Sequence, residues 1–339
     1  MTMSVTKLKL RTALGPVYRD VLPYEPRDCT PEEIPVIDLQ PMFSSELSER
    51  KKTIARCKEQ ILKFMKQPLE MKELVESHKY SKFYNGYLGR RKTQISPSET
   101  VDVREGFTFR YSPDLDPDHP KDISQVPDEI RRWIRGEDFV WEGTQHLPEF
   151  KRDCVAYWSA CLRLARKMVR MFALSLDLEE DYWDEKVTHP GADGVFNYYP
   201  ARTQDEIEQK CVGLGSHTDL QLFTLLWQDS VGGLQILTRE GQWIKVSESS
   251  KSSNLSKFDG VKAPPIEGTI VVNIGDYMMR LCNDIYKSTV HRVTNESTQE
   301  RVSMPFFFGC QKRFQMEREE FAGKEVKQSM APSAVVVAG

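Results

Sequence analysis

The chain has 339 residues, 39% apolar and 29% charged, with 47 Lys and Arg against 50 Asp and Glu for a net charge of −3. That length holds one large domain or two smaller ones, and the near balance of charge offers no footprint for nucleic acid or an anionic membrane. No apolar run approaches the roughly 20 residues that span a bilayer, and seven cysteines without paired metal spacing point to reduced thiols in a cytoplasmic protein.

Residues 1–33 read as a polar, extended arm; Lys7, Lys9 and Arg11 lie there without the apolar segment of a secretory signal. Ile34–Leu39 reads as a short strand. From Ser45 to about Lys66 good helix formers carry an apolar side of Ile54, Ile61 and Leu62, and a second helical piece starts at Pro68, where proline suits a first turn. Tyr84–Tyr87 reads as a turn, Phe107–Tyr111 as a strand, and the Pro- and Asp-rich Asp114–Pro127 as a loop. The clearest helix runs from about Pro148 to Leu178, with Val155, Trp158, Leu162, Ala165, Val169, Phe172 and Leu176 at 3–4 spacing. After Gly194 the period changes. Short strands alternate with turn residues at Phe223–Gln228, Leu234–Leu237, Trp243–Val246, Thr269–Ile274, Tyr286–Val293 and Val302–Phe308. The Ser- and Lys-rich Lys245–Gly260 reads as an exposed insertion. The fold expected is mainly β with flanking helices, a double-stranded β-helix (jelly-roll, cupin-like) core backed by the long helix. Its expected divisions are an N-terminal mixed α/β region at 1–147, the helix and jelly-roll core at 148–320, and a tail at 321–339.

The chemistry concentrates in Gly215-Ser216-His217-Thr218-Asp219, His291-Arg292-Val293 and Arg301-Val302-Ser303. His217 and Asp219 are two apart, so on an extended strand they share a face, as do Arg301 and Ser303. Two imidazoles and one carboxylate on one side of an ion, with the remaining positions open, form the facial triad of non-haem Fe(II) oxygenases. An arginine fork and a hydroxyl suit the far carboxylate of an α-keto acid. His-x-Asp alone recurs by chance, and three unrelated polar residues near strand ends are the bland alternative. The joint pattern with His291 and Arg-x-Ser carries the weight. Zinc would accept the same three ligands, but it has no redox chemistry and would leave Arg-x-Ser without a purpose. Phe307 shares a face with Ser303 by parity and is a candidate substrate-stacking residue, with a core aromatic as the alternative. His78, His119, His146 and His189 sit in no motif and read as surface or capping groups. Gly213-Leu214-Gly215 lacks the lysine and following helix of a phosphate loop.

At these residues the chain resembles the iron(II)- and 2-oxoglutarate-dependent dioxygenases of the isopenicillin N synthase-like branch. The matching text is Phe196-Asn197-Tyr198-Tyr199-Pro200, Gly215–Asp219, Leu225–Asp229, Gly232–Gln235, Asn273–Asp276, Ser288–Val293 and Arg301–Ser303, within a resemblance spanning roughly Ile34 to Gly309. It implies Fe(II) on His217, Asp219 and His291, with no catalytic side chain beyond these ligands. It also implies 2-oxoglutarate and O2 as co-substrates, ascorbate as an available reductant, and a small-molecule substrate of specialised metabolism whose C–H bond is hydroxylated, desaturated or cyclised. Arg301 and Ser303 would bind the co-substrate's distal carboxylate, Tyr199 matches a tyrosine that donates to it, and Asn197 matches a position close to the metal. An oxidase of the same fold that uses no 2-oxoglutarate, and a catalytically impaired jelly-roll binding paralogue, remain the alternatives. One peripheral strand and part of a helix that the family carries after its first long helix have no counterpart here. About 28 residues are absent after Leu62, and the expected consequences are an exposed sheet edge and lost cover for the long helix.

Overall fold

The computed structural model describes residues 5–12, 15–30, 32–34, 36–38, 47–119, 122–246, 269–294, 298–311 and 334–338. In chain order its elements begin with β1 (Thr6–Thr12), β2 (Gly15–Val21), β3 (Arg27–Asp28), β4 (Val36–Asp38), α1 (Leu47–Met65), α2 (Leu69–Glu73) and α3 (Ser77–Tyr80). They continue with β5 (Gly86–Leu88), β6 (Glu105–Arg110), α4 (Asp128–Arg131), α5 (Phe139–Glu142), α6 (Phe150–Ser175), β7 (Gly191–Tyr199) and α7 (Gln204–Glu208). The last third holds β8 (Leu214–His217), β9 (Phe223–Gln228), β10 (Leu234–Leu237), β11 (Trp243–Lys245), β12 (Thr269–Ile274), α8 (Asp276–Leu281), β13 (His291–Val293), β14 (Arg301–Gly309) and β15 (Ala334–Ala338).

The architecture is mixed α/β with two main sheets. The larger has the order β4-β15-β12-β9-β14-β7-β6-β5 and the smaller β3-β11-β10-β13-β8, with β1-β2 as a separate hairpin. Pairing is antiparallel except where β3 and β4 join β11 and β15.

Strand periodicity divides the large sheet into two faces. On β14, Val302, Met304, Phe306 and Phe308 enter the main core, while Arg301, Ser303, Pro305 and Phe307 line a cavity on the other side. The same alternation holds on β7, where Ala192 and Phe196 are core residues and Asp193, Val195, Asn197 and Tyr199 face the cavity. On β6, Phe107 and Phe109 point to the core and Gly106, Thr108 and Arg110 to the cavity.

The core face is backed by α6. Trp158, Leu162, Ala165 and Val169 are completely buried, and the helix stops at Asp177, whose φ of 56° is left-handed. Two side chains tie it to the sheet: Trp158 Nε1 donates to the Ala192 carbonyl (3.2 Å) and Tyr157 OH to that of Met304 (2.6 Å). Helix α1 packs on this helix among the described residues, while Leu174 near its C-terminal end stays 53% exposed. Helix α1 contributes buried Cys57, Ile61 and Phe64, the last stacked on Phe150 at 5.1 Å between ring centroids. On that side the large sheet ends in the three-residue β5.

Some expectations need correcting. The supposed polar arm contains the β1–β2 hairpin, whose Leu8 and Leu10 are buried with Leu237, Trp243 and Val290. The strand expected over Tyr286–Val293 is confined to His291–Val293, because the chain leaves α8 through left-handed Asn283 and Asp284 and re-enters extended pairing only at His291. The expected insertion at Lys245–Gly260 falls, from residue 247 onward, outside the described residues. All seven cysteines are buried free thiols.

Candidate active site

Strand β8 ends at His217 and pairs with β13 so that His217 faces His291 directly. Asp219 follows β8 by two residues. Its backbone carbonyl accepts from Asp276 N (2.7 Å), at the start of α8. Gly275 makes that approach possible: a Cβ there would collide with the carbonyl of Gln221 and lie 3.0 Å from that of Asp219. The ligand atoms of His217, Asp219 and His291 all lie within 4.8 Å of one another, and each imidazole Nε2 is 3.7 Å from Asp219 Oδ1.

Hydrogen bonds aim these groups. His217 donates from Nδ1 to the Gly215 carbonyl (2.8 Å) and His291 from Nδ1 to the Thr289 carbonyl (3.0 Å), so both Nε2 lone pairs point inward. Asp219 Oδ2 accepts from Thr224 Oγ1 (2.5 Å) and Asn273 Nδ2 (2.7 Å), which leaves Oδ1 for an ion. Burial, reinforced by the neighbouring His291, lowers the proton affinity of His217 to a pKa of about 4, despite Asp219. Burial alone would raise the Asp219 carboxyl, but His291, His217, Thr224 and Asn273 more than offset it and hold it below the usual value. At neutral pH His217 is therefore a neutral imidazole beside the ionised Asp219 carboxylate, as a divalent metal requires of such ligands. Two ligands each roughly 2.1 Å from a shared ion lie no more than about 4.2 Å apart, and both His–Asp separations, at 3.7 Å, are inside that reach.

The same cavity, of about 910 Å³, contains every residue singled out by sequence: His217, Asp219, His291, Arg301, Ser303, Tyr199, Asn197 and Phe307. Arg301 is fully buried. Its Nε donates to the Gly232 carbonyl and its Nη2 to Gln228 Oε1 (3.0 Å), both neutral acceptors. Its Nη1 has no partner among the described residues, and neither does the buried Tyr199 OH. The guanidinium lies over the Tyr199 ring at 4.6 Å. A buried arginine with a free donor, beside a phenol with a free hydroxyl, fits the carboxylate of a dicarboxylic co-substrate. Across the strands, Ser303 is in register with Asn197.

A model of the 2OG-Fe(II) oxygenase superfamily matches residues 193–309. The 2-oxoglutarate-Fe(II) type oxidoreductase ppzC of Metarhizium majus is 40% identical over 334 residues, covering 89% of this chain and 84% of that protein. The chain belongs to the 2OG-Fe(II) oxygenase superfamily. It is an Fe(II)- and 2-oxoglutarate-dependent oxidoreductase. A plant relative in this oxygenase superfamily, gibberellin 20 oxidase 1 of Arabidopsis thaliana, is 29% identical, with 83% of this chain and 70% of that one aligned. A full-length Neurospora crassa protein, solved in complex with alpha-KG, shares the fold at a TM-score of 0.57 and 23% identity, over 85% of this chain and 88% of that one.

Cavity residues to which the sequence reading assigned no part in the site are Thr224, Asn273, Arg104 and His189. Thr224 and Asn273 lie inside expected strands on the cavity parity of β9 and β12, so that parity was the available indication. His189, expected at the surface, is half-buried on the cavity wall with Nδ1 3.1 Å from Tyr111 OH and its ring 5.6 Å from that of His119. His78 also lines the cavity, whereas His146 pairs with Gln67 at 2.8 Å. No helix among the described residues is long and apolar enough to cross a membrane.

Proposed function

We propose that the protein oxidises an unactivated C–H bond of a small molecule in specialised metabolism, with Fe(II) held by His217, Asp219 and His291. In this reading Arg301, Ser303 and Tyr199 hold the distal carboxylate of 2-oxoglutarate, Asn197 sits beside the metal and Phe307 faces the substrate. The two main sheets are the faces of a double-stranded β-helix, with the catalytic core at 148–320 and the N-terminal region contributing β6 to the cavity wall. The observation that carries this reading is the placement, in one cavity, of a two-histidine, one-carboxylate cluster and a fully buried arginine that meets only neutral acceptors among the described residues.

When bound, Fe(II) and 2-oxoglutarate supply the oxidising power: O2 is consumed, and 2-oxoglutarate leaves as succinate and carbon dioxide. The chain's part is positional. Thr224 and Asn273 fix which carboxylate oxygen of Asp219 faces the ion, and the Gly215 and Thr289 carbonyls fix both imidazole tautomers. Arg301 orients the co-substrate from the far end, and the apolar walls Leu214, Leu234, Val271 and Val293 exclude water. No side chain is needed as acid or base for breaking the C–H bond.

Anaerobic addition of Fe(II) and 2-oxoglutarate should produce the weak visible charge-transfer band of the chelate. Admission of O2 with candidate small molecules should give succinate in step with oxidised product. Product formed without succinate would assign the protein to the oxidases that dispense with 2-oxoglutarate.

A further inference from the structure

We propose that Arg104 is a substrate-specificity residue that holds a carboxylate of the substrate, so that the substrates of this enzyme are small organic acids with an apolar body. The inference rests on the reading in which Arg301 holds the co-substrate.

The wall of the cavity formed by the large sheet carries three arginines: Arg104, just before β6, Arg110 at its end, and Arg301 on β14. Arg110 is paired with Asp193. Arg301 is assigned to the distal carboxylate of 2-oxoglutarate. Arg104 is left over. Its Nη1 donates to the neutral Asn197 Oδ1, its Nε is buried with no partner, and no carboxylate reaches it among the described residues. Fe(II) and 2-oxoglutarate cancel in charge, as do Asp219 with Arg301 and Asp193 with Arg110. Among the large sheet's three arginines one half-buried cation therefore remains, its Nε without a partner among the described residues. A charge in such a place is normally paired, and the missing partner is an anion.

The local structure holds this guanidinium inside. Residues 104, 106, 108 and 110 share the cavity parity of β6, and Gly106 sits between Arg104 and Thr108. A Cβ at Gly106 would lie 2.9 Å from Arg104 Nη1, so glycine leaves the lane along which the arginine crosses to Asn197. Gly106 is in register with Asn197 and Asn197 with Ser303, which sets the arginine two strands from the co-substrate position and on the same wall. Ile130, Trp133 and Ile134 line another part of the cavity and supply apolar surface for the body of the molecule. The recognised chemistry is a carboxylate; its two possible sources are the substrate and the metal-chelating end of 2-oxoglutarate.

The test uses protein loaded with Fe(II) and saturating 2-oxoglutarate under nitrogen. Benzoate, phenylacetate, 3-phenylpropionate and hexanoate, each beside its primary amide, are titrated by ligand-observed NMR on the parent, R104Q and R104K. The affinity of 2-oxoglutarate is read separately from the chelate band. At least one acid should bind the parent about tenfold or more tightly than its amide. R104Q should erase that preference, R104K should keep part of it, and the affinity for 2-oxoglutarate should change less than about twofold. An acid preference that survives R104Q, or a parent that shows none, overturns the proposal. A loss of 2-oxoglutarate affinity in R104Q, without a change in the acid-to-amide ratio, assigns Arg104 to the co-substrate and overturns it equally. A parent that forms no chelate band strikes the function proposed above, which is a separate result.

Discussion

Replacing Arg301 by Gln tests the co-substrate site most directly. Arg301 is fully buried, spends Nε and Nη2 on the Gly232 carbonyl and Gln228, and keeps Nη1 in reserve near the Tyr199 OH, both without a partner among the described residues. Removing one partner of a buried, hydrogen-bonded charge pair costs about 2–5 kcal/mol, which corresponds to a roughly 30- to 5,000-fold loss of 2-oxoglutarate affinity. The same change leaves the Gly232 carbonyl and Gln228 short of donors, at about 1–3 kcal/mol for each group left unsatisfied. Some loss of stability is therefore expected as well, and it must be measured alongside. The assay is an anaerobic titration of Fe(II)-loaded protein with 2-oxoglutarate, followed by the chelate band, with metal content and melting temperature recorded on the same samples. Arg301→Lys should fall between, since it keeps the charge and loses the fork. A folded Arg301→Gln protein whose 2-oxoglutarate affinity lies within about threefold of the parent would refute the assignment.

Three further outcomes follow from named contacts. Asp219→Ala should abolish turnover and strongly weaken Fe(II) binding, because it removes the ligand that Thr224 and Asn273 hold in place; metal analysis after desalting checks this, and unchanged stoichiometry would count against the triad. Gly275→Ala should destabilise the fold by about 1–3 kcal/mol through overpacking and weaken iron binding about tenfold or more by moving Asp219, both readable in one calorimetric series on apo and loaded protein. His189 is held below its ordinary 6.5 by burial and by the nearby His119, with Arg166 adding to the effect and Asp116 opposing it. The unfolded chain then binds the proton more readily, so the contribution is complete above pH 6.5 and is lost as the pH falls through the depressed folded value. Urea midpoints for His189→Gln should show a shallower acid slope than the parent, the difference not exceeding about 1.4 kcal/mol per pH unit.

The sequence makes the site more legible than the scaffold, for a physical reason. Strand parity is local, so the shared faces of His217 with Asp219 and of Arg301, Ser303 and Phe307 can be read from spacing alone. Which strand lies beside which is a long-range matter. Nothing in Val103–Arg110 announces that its polar face meets Asn197, 93 residues beyond Arg104, so Arg104 gives no signal of its own. The anchors Thr224 and Asn273 are hidden likewise, each being an ordinary polar residue until β9 and β12 are paired. The long helix is legible to within two or three residues at either end because its apolar stripe is unbroken. The N-terminal hairpin escapes a sequence reading because its buried Leu8 and Leu10 alternate with charged residues over too short a stretch to stand out.

The triad also bears on how the two walls of the cavity stay together. Both imidazoles belong to the small sheet, through β8 and β13, whereas the Asp219 carboxylate is gripped by Thr224 and Asn273 of the large one. An ion at this point is a rivet driven through both plates. Its binding energy is added to the native state by mass action, on top of the buried apolar cluster in which Leu214, Leu234 and Val293 of the small sheet join Tyr199 and Val271 of the large one. Iron loading should therefore slow amide exchange in β8 and β13 more than in α6, and chelation should let the small sheet lift first.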